Sequence, residues 1–303
     1  MTDASAPIVV GVDGSLIALN AAIWACSLAV RLGAPLRIVH AMPYLGHNLT
    51  DTSAAVHAVS IAQQRDGAEM ILRSVEDAVR EQFPASRVTA IAVSEPADDA
   101  LAAASRTARL VVVGCEDVSM VGALLVGSAT SAIIERASCP VIAWRGGCAR
   151  VTDEPIVVGV AAGADAGAGV ALHNAFSLAD ALAAPLRVIH GWAAWGVPDD
   201  VALPHLIEMA VSSSRGNDER DAAQWRQLSD VVDPWRLRYP GVEVTLLGMT
   251  AAPAKALLEQ VRDAQMVVVG CRHRNALSRY AFGSVSLNLL RNAQLPVVVC
   301  PAP

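Results

Sequence analysis

The chain contains almost no lysine: Lys255 is the single lysine among 23 basic residues in a sequence of 303. A phosphate-binding loop of the Gly-Lys-Ser/Thr type needs a lysine that reaches the phosphates, and Lys255 lies in the unrelated stretch Ala-Ala-Pro-Ala-Lys-Ala. The dinucleotide fingerprint Gly-x-Gly-x-x-Gly is also absent after both candidate first strands. These absences exclude two familiar glycine-rich nucleotide loops.

Long apolar runs are missing as well, although hydrophobic residues make up 53% of the chain. No run approaches the roughly 20 residues that a helix needs to cross a bilayer. The first eight residues lack a basic segment followed by a long apolar stretch, so no secretory signal is expected. The net charge of −6 gives no general affinity for nucleic acid or anionic membranes. We therefore expect a cytoplasmic protein with no nucleic-acid and no membrane partner.

Paired motifs of cysteine or histidine are absent too. The six cysteines form no Cys-x-x-Cys pair, which favours reduced, buried thiols over disulfides. The seven histidines form no His-x-x-x-His pair and no cluster with cysteine, so no metal site is expected. A Gly-x-Ser-x-Gly nucleophile elbow is also lacking. Since the sequence places no general base or nucleophile, the chain is not predicted to be an enzyme.

What the chain does have is an internal duplication. Residues 111–115 read Val-Val-Val-Gly-Cys, and residues 267–271 read the same. Further blocks return in the same order, namely 8–12 in 156–160, 34–40 in 184–190, and Gly127-Ser128 in Gly283-Ser284. This order predicts two tandem domains of about 150 residues each. We place them at 1–147 and 148–303.

Each half alternates short apolar runs with helical stretches. Strands that are apolar throughout are covered on both faces, as in a parallel sheet. We therefore predict an α/β fold of two tandem doubly wound, Rossmann-like domains, each with a parallel five-stranded sheet. The stretch 42–60 is interpreted as irregular and 145–155 as a polar linker. In the first half the predicted strands are 7–13, 36–41, 88–93, 109–114 and 140–144, and the predicted helices are 16–31, 62–83, 97–107 and 127–137.

Ligands of open α/β sheets bind beyond the carboxyl ends of the strands. In the first half that edge carries Asp13, Gly114 and the pair Gly127-Ser128, which is separated from Asp117 by nine residues and lies at the start of a helix. A glycine leaving a strand allows close backbone approach to a ligand, and free N–H groups with a hydroxyl at a helix start suit an anion. The alternative is that Ser128 only caps its helix. Recurrence of the same spacing in the second half favours a mononucleotide site.

Both halves resemble universal stress proteins, and the resemblance covers nearly the whole chain. Members of that family have a first strand ending in Asp and a loop of the form Gly-x-x-Gly, nine residues, Gly-Ser/Thr. The matching segments here are Val-Gly-Val-Asp-Gly-Ser at 10–15, Gly114, Gly127-Ser128 and Cys139-Pro140-Val141 in the first half, and Gly270, Gly283-Ser284 and Pro296-Val297 in the second.

The resemblance implies that the loop wraps the phosphates and ribose of ATP, with or without Mg²⁺. Asp13 would hold the base or ribose, and Ser128 would donate to phosphate. The implied role is that of a stress-response sensor or regulator with at most slow hydrolysis. Carried over residue by residue, the binding residues are Val12, Asp13, Ala41, Gly114, Gly127, Ser128, Ala129 and Thr130, with Gly270, Arg272, Arg274, Gly283, Ser284, Val285 and Ser286 in the second half.

Each half departs from the family pattern at a different place. The second glycine of the loop is Asp117 in the first half and His273 in the second. Glu116 adds a second negative charge where a phosphate would bind. This charge is unfavourable for phosphate, and a bound Mg²⁺ would reverse it. The second-half loop is basic from Arg272 to Arg274, which suits phosphate, but the first-strand aspartate is replaced by Ala161.

These departures leave two hypotheses open. In the first, at least one half binds an adenine nucleotide. In the second, both sites are degenerate and the fold is retained as a protein-interaction scaffold with unknown protein partners. An uneven distribution of tryptophan favours the second hypothesis, because tryptophan is enriched at the centres of interfaces, although a role in the core is the more common explanation. The second half holds Trp192, Trp195, Trp225 and Trp235.

The same resemblance implies a mode of assembly. In the family, the last strand of a domain often pairs with its counterpart across a two-fold axis. Residues 140–144 and 296–300 are short apolar runs, and an unpaired apolar strand edge invites association. We expect the two halves to pair through these strands as an intrachain pseudo-dimer, with a homodimer as a further option.

Overall fold

The computed structural model describes residues 5–42, 54–115, 128–145, 150–160, 166–191, 214–249, 251–271 and 283–301. Within these ranges every strand is short and composed mainly of β-branched or other apolar residues, which pack well on a pleated surface. The strands of the two halves join into one sheet, and the helices cover both of its faces.

The first half follows the alternation that its sequence predicts, with one error. Residues 54–60, interpreted as irregular, begin the second helix, because this stretch is rich in alanine and free of glycine and proline. The elements are β1 (Ile8–Val12), α1 (Leu16–Arg31), β2 (Leu36–Ala41), α2 (Ala54–Gln82), β3 (Val88–Val93), α3 (Ala97–Ser105), β4 (Leu110–Gly114), α4 (Ser128–Arg136) and β5 (Val141–Trp144).

The described elements of the second half repeat this order. Its helix α6 carries Pro234 in its interior and ends with Arg236 and Arg238 in the last turn, where cations suit the helix dipole. The elements are β6 (Ile156–Gly159), α5 (Ala166–Leu182), β7 (Leu186–Gly191), α6 (Ser214–Arg238), β8 (Val244–Met249), α7 (Pro253–Gln260), β9 (Met266–Gly270), α8 (Ser284–Asn292) and β10 (Val297–Cys300).

The strand order within each half is that of a doubly wound domain. The ten strands lie in the order β3-β2-β1-β4-β5-β10-β9-β6-β7-β8, and every pairing inside a half is parallel. Helices α1, α2, α5 and α6 cover one face, and α3, α4, α7 and α8 cover the other. The predicted fold class is therefore confirmed, with a switch in strand order between β1 and β4 and again between β6 and β9.

The two halves meet through their last strands. Strand β10 pairs antiparallel with β5, with Val298 opposite Ile142 at the centre of the register. All residues of both strands are buried, so neither strand presents an apolar edge to water. The expected pairing of these strands within the chain is confirmed by this register.

The connection between the halves is packed against the helices. Residues 145–155 were expected to form a polar linker, but Val151 is buried and its N–H donates to the Ser27 hydroxyl at 2.9 Å. Arg31 donates both to the Asp153 carboxylate at 2.7 Å and to the Leu182 carbonyl of the second half at 2.5 Å. Because these contacts join α1, the linker and α5, the described part of the linker helps to fix the two halves together.

Candidate functional site

A cleft opens in the second half at the switch point between β6 and β9. The described residues enclose a cavity of about 260 Å³ there. Ligands of open α/β sheets bind at this position, because helices leave the two flanking strands on opposite faces and a crevice remains between them. The cleft is lined by Gly159, Val160, Gly167, Ala168, Ile189, Gly191, Pro253, Leu257, Val269, Gly270, Gly283, Ser284, Val285 and Ser286.

The start of α8 forms the polar end of this cleft. Gly283 is the N-cap residue, in extended conformation, and no side chain caps its helix. The first intrahelical bond runs from the Leu287 N–H to the Gly283 carbonyl at 3.1 Å, so the N–H groups of residues 284–286 precede the regular ladder. Such a helix start attracts an anion through these donors and the helix dipole. The serine is thus the first helical residue here and not the cap.

Apolar side chains line much of the cleft. They include Val160, which directly follows β6, Ile189 of β7, and Pro253 and Leu257 of α7. Flat, weakly polar groups such as a purine base fit such walls, since binding sites combine apolar lining with a few placed donors. The sequence reasoning missed these residues in the second half. The duplication predicts Val160 and a further lining residue, Gly191, because they occupy the positions equivalent to Val12 and Ala41.

Gly270 and Gly114 end equivalent strands and lie close to the helices that follow β6 and β1. A Cβ on Gly270 would lie 2.4 Å from the Gly167 carbonyl oxygen, and one on Gly114 would lie 2.9 Å from the Ile17 side chain. At these glycines the strand backbone thus closely approaches the start of a helix of the same half. Ile17 and Gly167 hold equivalent positions, so the first half has an isoleucine side chain beside its strand-end glycine where the second half has none.

The first-half residue Asp13 lies exposed at the end of β1 and shapes the turn into α1. Its Oδ1 accepts the Ser15 N–H at 2.9 Å, and Ser15 Oγ in turn accepts the Ala18 N–H as the N-cap of α1. Burial acts to raise the Asp13 pKa, but the hydrogen bonds from Ser15, together with the nearby His40, hold it below its usual value. The intervening Gly14 has a φ of 89°, which favours glycine. Asp13 is therefore an ionised acceptor at the ligand edge.

The remaining first-half candidates lie at the ends of strands and in the first turn of α4. Val12 is buried at the end of β1, and Ala41 is half-buried at the end of β2. Ala129 is exposed in the first turn of α4, while Thr130 is buried, with its hydroxyl 3.7 Å from the Cys115 thiol. The equivalent residue in the second half, Ser286, donates to the Gly270 carbonyl at 3.4 Å. In both halves a hydroxyl thus joins the helix start to the end of its strand.

The strand-end histidines serve the backbone in both halves. His40 Nδ1 lies 2.8 Å from the Val12 carbonyl, and His190 Nδ1 lies 2.9 Å from the Val160 carbonyl. Because these nitrogens face carbonyl oxygens, both must donate. The second ring nitrogen of His190 lies 2.9 Å from the Gln224 Oε1 of α6. These histidines therefore help to hold the ends of β1 and β6 in place.

Several predicted site residues lie outside the described residues. They are Gly127, Arg272 and Arg274, together with Glu116, Asp117, Ala161 and His273, at which the chain departs from the family pattern. Among the described residues, no group of three or more histidine, cysteine or acidic side chains is placed to hold a metal ion. The described helices also include none that is long and apolar enough to span a membrane.

The fold and the cleft define a tandem, doubly wound α/β protein with a ligand-binding crevice at a switch point. The family model "Universal stress protein family" matches the chain twice, over residues 5–145 and 154–301. The chain belongs to the universal stress protein family.

Similar proteins have the same tandem arrangement. Universal stress protein Rv1996 of Mycobacterium tuberculosis is 30% identical, with 98% of this chain and 95% of the relative covered. Universal stress protein Rv2005c of the same organism is 29% identical, with 96% of each chain covered. The crystal structure of a universal stress protein from Archaeoglobus fulgidus superposes with a TM-score of 0.66 at 19% identity, covering 98% of both chains. That last likeness is one of fold.

Proposed function

We propose that the second half of this chain binds an adenine nucleotide, ATP or a close relative, and that the chain acts as a nucleotide-responsive regulator in the stress response. The observation that carries the proposal is the cleft between β6 and β9, which combines apolar walls with an uncapped helix start. Membership of the universal stress protein family supports it, since the loop pattern that this chain resembles implies nucleotide binding.

The proposed orientation follows from the polarity of the cleft. The phosphates face the N-terminus of α8, where Ser284 and the N–H groups of the first turn act as donors. The base lies between Val160, Ile189 and Leu257, where apolar side chains line the cleft. The sequence adds positive charge from Arg272 to Arg274 next to Gly270, which suits phosphate and makes Mg²⁺ optional.

The second half has alanine, Ala161, where the first half has Asp13. A carboxylate at that position would accept hydrogen bonds from ribose hydroxyls or from the adenine amine. Without it, recognition of the sugar and base depends on backbone groups and shape. We therefore propose weak discrimination between ATP and dATP, and a role in binding and signalling in the cytoplasm without catalysis.

Native mass spectrometry of the full chain, as isolated and with excess Mg-ATP, tests the proposal. We expect one bound nucleotide per chain, held in the cleft that the described residues of the second half form. Two nucleotides would mean that the first half also binds despite Ile17 and Asp117. No nucleotide on the folded chain would overturn the proposal. A Ser284→Ala variant is expected to weaken binding, and Ser128→Ala serves as the matched control in the first half.

A scaffold role is the second candidate, supported by apolar side chains on α6. Leu237 is 84% exposed and Trp225 is 39% exposed. Trp235 instead stacks on Phe176 at 6.2 Å between ring centroids, which is a core contact. Trp192 and Trp195 lie outside the described residues. Leu237→Asp with Trp225→Ser should leave nucleotide binding intact. If this variant still binds nucleotide but no longer acts in the stress response, the scaffold role is favoured.

A further inference from the structure

The segment that leads into β6 packs on the helices of the first half. Val151 is buried, and its N–H donates to the Ser27 hydroxyl of α1 at 2.9 Å. The Arg150 guanidinium lies over the ring of Phe83, which directly follows α2, at 5.3 Å from the ring centroid. This segment thus reaches from the end of α2 to α1 and lies in the groove between them.

The seam relates the two halves by an approximate two-fold axis. At its centre Ile142 lies opposite Val298, and these are equivalent residues of the two copies. In a two-fold arrangement, a contact from one half to the other has a counterpart in the reverse direction. Because the segment that leads into β6 lies on the first half, we expect the segment that leads into β1 to lie on the second half.

The two entry segments are equivalent where the structure describes both. The carbonyls of Pro7 and Pro155 accept the N–H of the residue before β4 and of the residue before β9, at 2.8 and 3.0 Å. Both prolines directly precede the first strand of their half. Counting back four residues from each proline aligns Asp3 with Val151. The groove that would receive Asp3 is therefore the equivalent, in the second half, of the groove that receives Val151.

The second half has such a groove, between α5 and the end of α6. Ser177 of α5 is the equivalent of Ser27, and Tyr239, which directly follows α6, is the equivalent of Phe83. Tyr239 stacks on Phe176 with 5.7 Å between ring centroids. Ser177 and Tyr239 are both half-buried, so solvent reaches the hydroxyl and the ring. The groups that hold the linker in the first half thus recur as a hydroxyl and an aromatic ring.

The second groove carries a positive charge that the first lacks. Arg238 stands where the first half has Gln82, and its guanidinium lies 6.0 Å from the Trp235 ring and 5.7 Å from the Tyr239 ring. Burial, together with Arg238, holds the pKa of His173 below its usual value, so Arg238 carries the charge at neutral pH. Among the described residues, no carboxylate forms an ion pair with Arg238.

The two entry segments differ in the matching sense. Val151 is apolar and enters a groove without an arginine, whereas Asp3 is acidic and its equivalent groove contains Arg238. A carboxylate and a guanidinium form charge-assisted hydrogen bonds, and complementary charges fix which surfaces pair. The groove and the segment expected in it have therefore changed together between the two halves.

We propose that the groove between α5 and α6 binds the chain's own N-terminal segment, with Asp3 between the Ser177 hydroxyl and the Arg238 guanidinium. Residues 1–4 lie outside the described residues, and their equivalence with the linker identifies them as the occupant. The contact joins the entry of the first half to the helices of the second half. Together with the linker, it ties the two halves to each other in both directions.

Disulfide trapping tests the position of the segment. The 2.9 Å bond from Val151 to Ser27 implies that residues 3 and 177 lie close enough for a disulfide. After mild oxidation, the full chain with Asp3→Cys and Ser177→Cys is expected to form a cross-link within the chain, identified by mass spectrometry of unreduced peptides. The matched control pairs Asp3→Cys with Glu259→Cys on α7, which is exposed on the other face of the sheet and should not cross-link.

Charge reversal tests the ion pair. Asp3→Lys and Arg238→Glu are each expected to lower the Tm by about 1–3 °C, because each leaves two like charges facing one another. The double variant restores opposite charges and should be more stable than Arg238→Glu alone. Glu259→Lys is the matched control, since it makes the same charge change at an exposed position and should not rescue Arg238→Glu.

Three outcomes would overturn the proposal. Equal cross-linking of the Ser177 pair and the Glu259 pair would mean that the segment has no fixed place. Cross-linked dimers instead of a link within the chain would assign the groove to the segment of a second copy. Failure of Asp3→Lys to rescue Arg238→Glu would remove the ion pair. If the cysteine variant does not fold, deletion of residues 2–4 should speed amide exchange around Ser177, and unchanged exchange would contradict docking.

Discussion

The two halves of the chain share their scaffold and differ where a ligand would enter. Gly11 and Gly159 both admit a leucine of the covering helix, because a Cβ at these positions would lie 2.6 Å from Leu101 and 2.8 Å from Leu257. The packing that builds each sheet is thus the same in both copies. Both copies of the duplicated domain have therefore kept the glycine that allows this close packing.

At the ligand edge the copies diverge in opposite directions. The first half keeps an ionised Asp13 but places Ile17 beside Gly114. The second half has Gly167 instead, which leaves the cleft open, but it has lost the aspartate. The copies thus differ in the side chain that the start of α1 or α5 places beside the strand-end glycine. On this account the second half, which has the cleft, binds the nucleotide. The first half keeps the turn that Asp13 fixes after β1.

The largest expected effect comes from breaking the seam. Val298→Pro removes the N–H of a central strand that pairs with Ile142 on one side and Val268 on the other. We expect a loss of about 3 kcal/mol or more in the free energy of unfolding, with a larger radius of gyration by X-ray scattering. Val298→Ala keeps the N–H and isolates the loss of the side chain. Unchanged stability and shape in the proline variant would contradict the central role of this pairing.

A smaller effect separates the two strand-end glycines. Gly270→Ala puts a Cβ 2.4 Å from the Gly167 carbonyl oxygen, whereas a Cβ on Gly114 lies 2.9 Å from the Ile17 side chain and 3.1 Å from the Ile17 carbonyl oxygen. We expect urea unfolding to show a loss of about 1–3 kcal/mol for Gly270→Ala and a smaller loss for Gly114→Ala, because the contact with the backbone oxygen is much longer at Gly114.

Gly169→Ala is the control for this pair. It lies in α5 two residues after Gly167, and nothing lies within 4 Å of its added Cβ. Alanine there should stabilise the chain by about 0.5–1 kcal/mol, since glycine is unfavourable inside a helix. Equal losses in Gly270→Ala and Gly114→Ala would remove the distinction between the two halves.

The smallest effect concerns the turn after β1. The folded-state pKa of Asp13 is lowered, so its contribution to stability is present above the unfolded pKa of about 3.8 and is lost as the pH falls through the folded value. Asp13→Asn keeps an oxygen for the Ser15 N–H and removes the titration. We expect the Tm difference between pH 7 and pH 3 to be slightly smaller in Asp13→Asn than in wild type. An identical or larger difference would show that the charge does not support this turn.

Much of the fold was predictable because apolar strands and repeated blocks carry strong local signals. The boundaries of α1, β2 and β3 match the predicted ones, and the pairing of β5 with β10 followed from two short apolar runs. The early start of α2 was missed, because Pro43, Gly46 and Asn48 led to the interpretation of the whole of 42–60 as irregular. Burial of the linker was missed as well, since the contact of Val151 with Ser27 is a tertiary one that polar composition does not reveal.

The candidate site was predictable only in part. The glycines and serines at strand and helix ends were found from their spacing, but the spacing gave no reason why the halves should differ in open space. That difference depends on Ile17 and Gly167, which belong to helices outside the motif. The groove between α5 and α6 also depends on packing between distant segments, because it brings His173 beside Trp235, and no local pattern marks it.

Isothermal titration with Mg-ATP tests the central claim most directly, using wild type, Gly167→Ile and Asp13→Ala. The account predicts one nucleotide per wild-type chain, a loss of about tenfold or more in affinity for Gly167→Ile, and unchanged affinity for Asp13→Ala. Gly167→Ile reproduces in the second half the side chain that lies beside Gly114 in the first. Full affinity in Gly167→Ile together with loss in Asp13→Ala would contradict the account and assign the nucleotide to the first half.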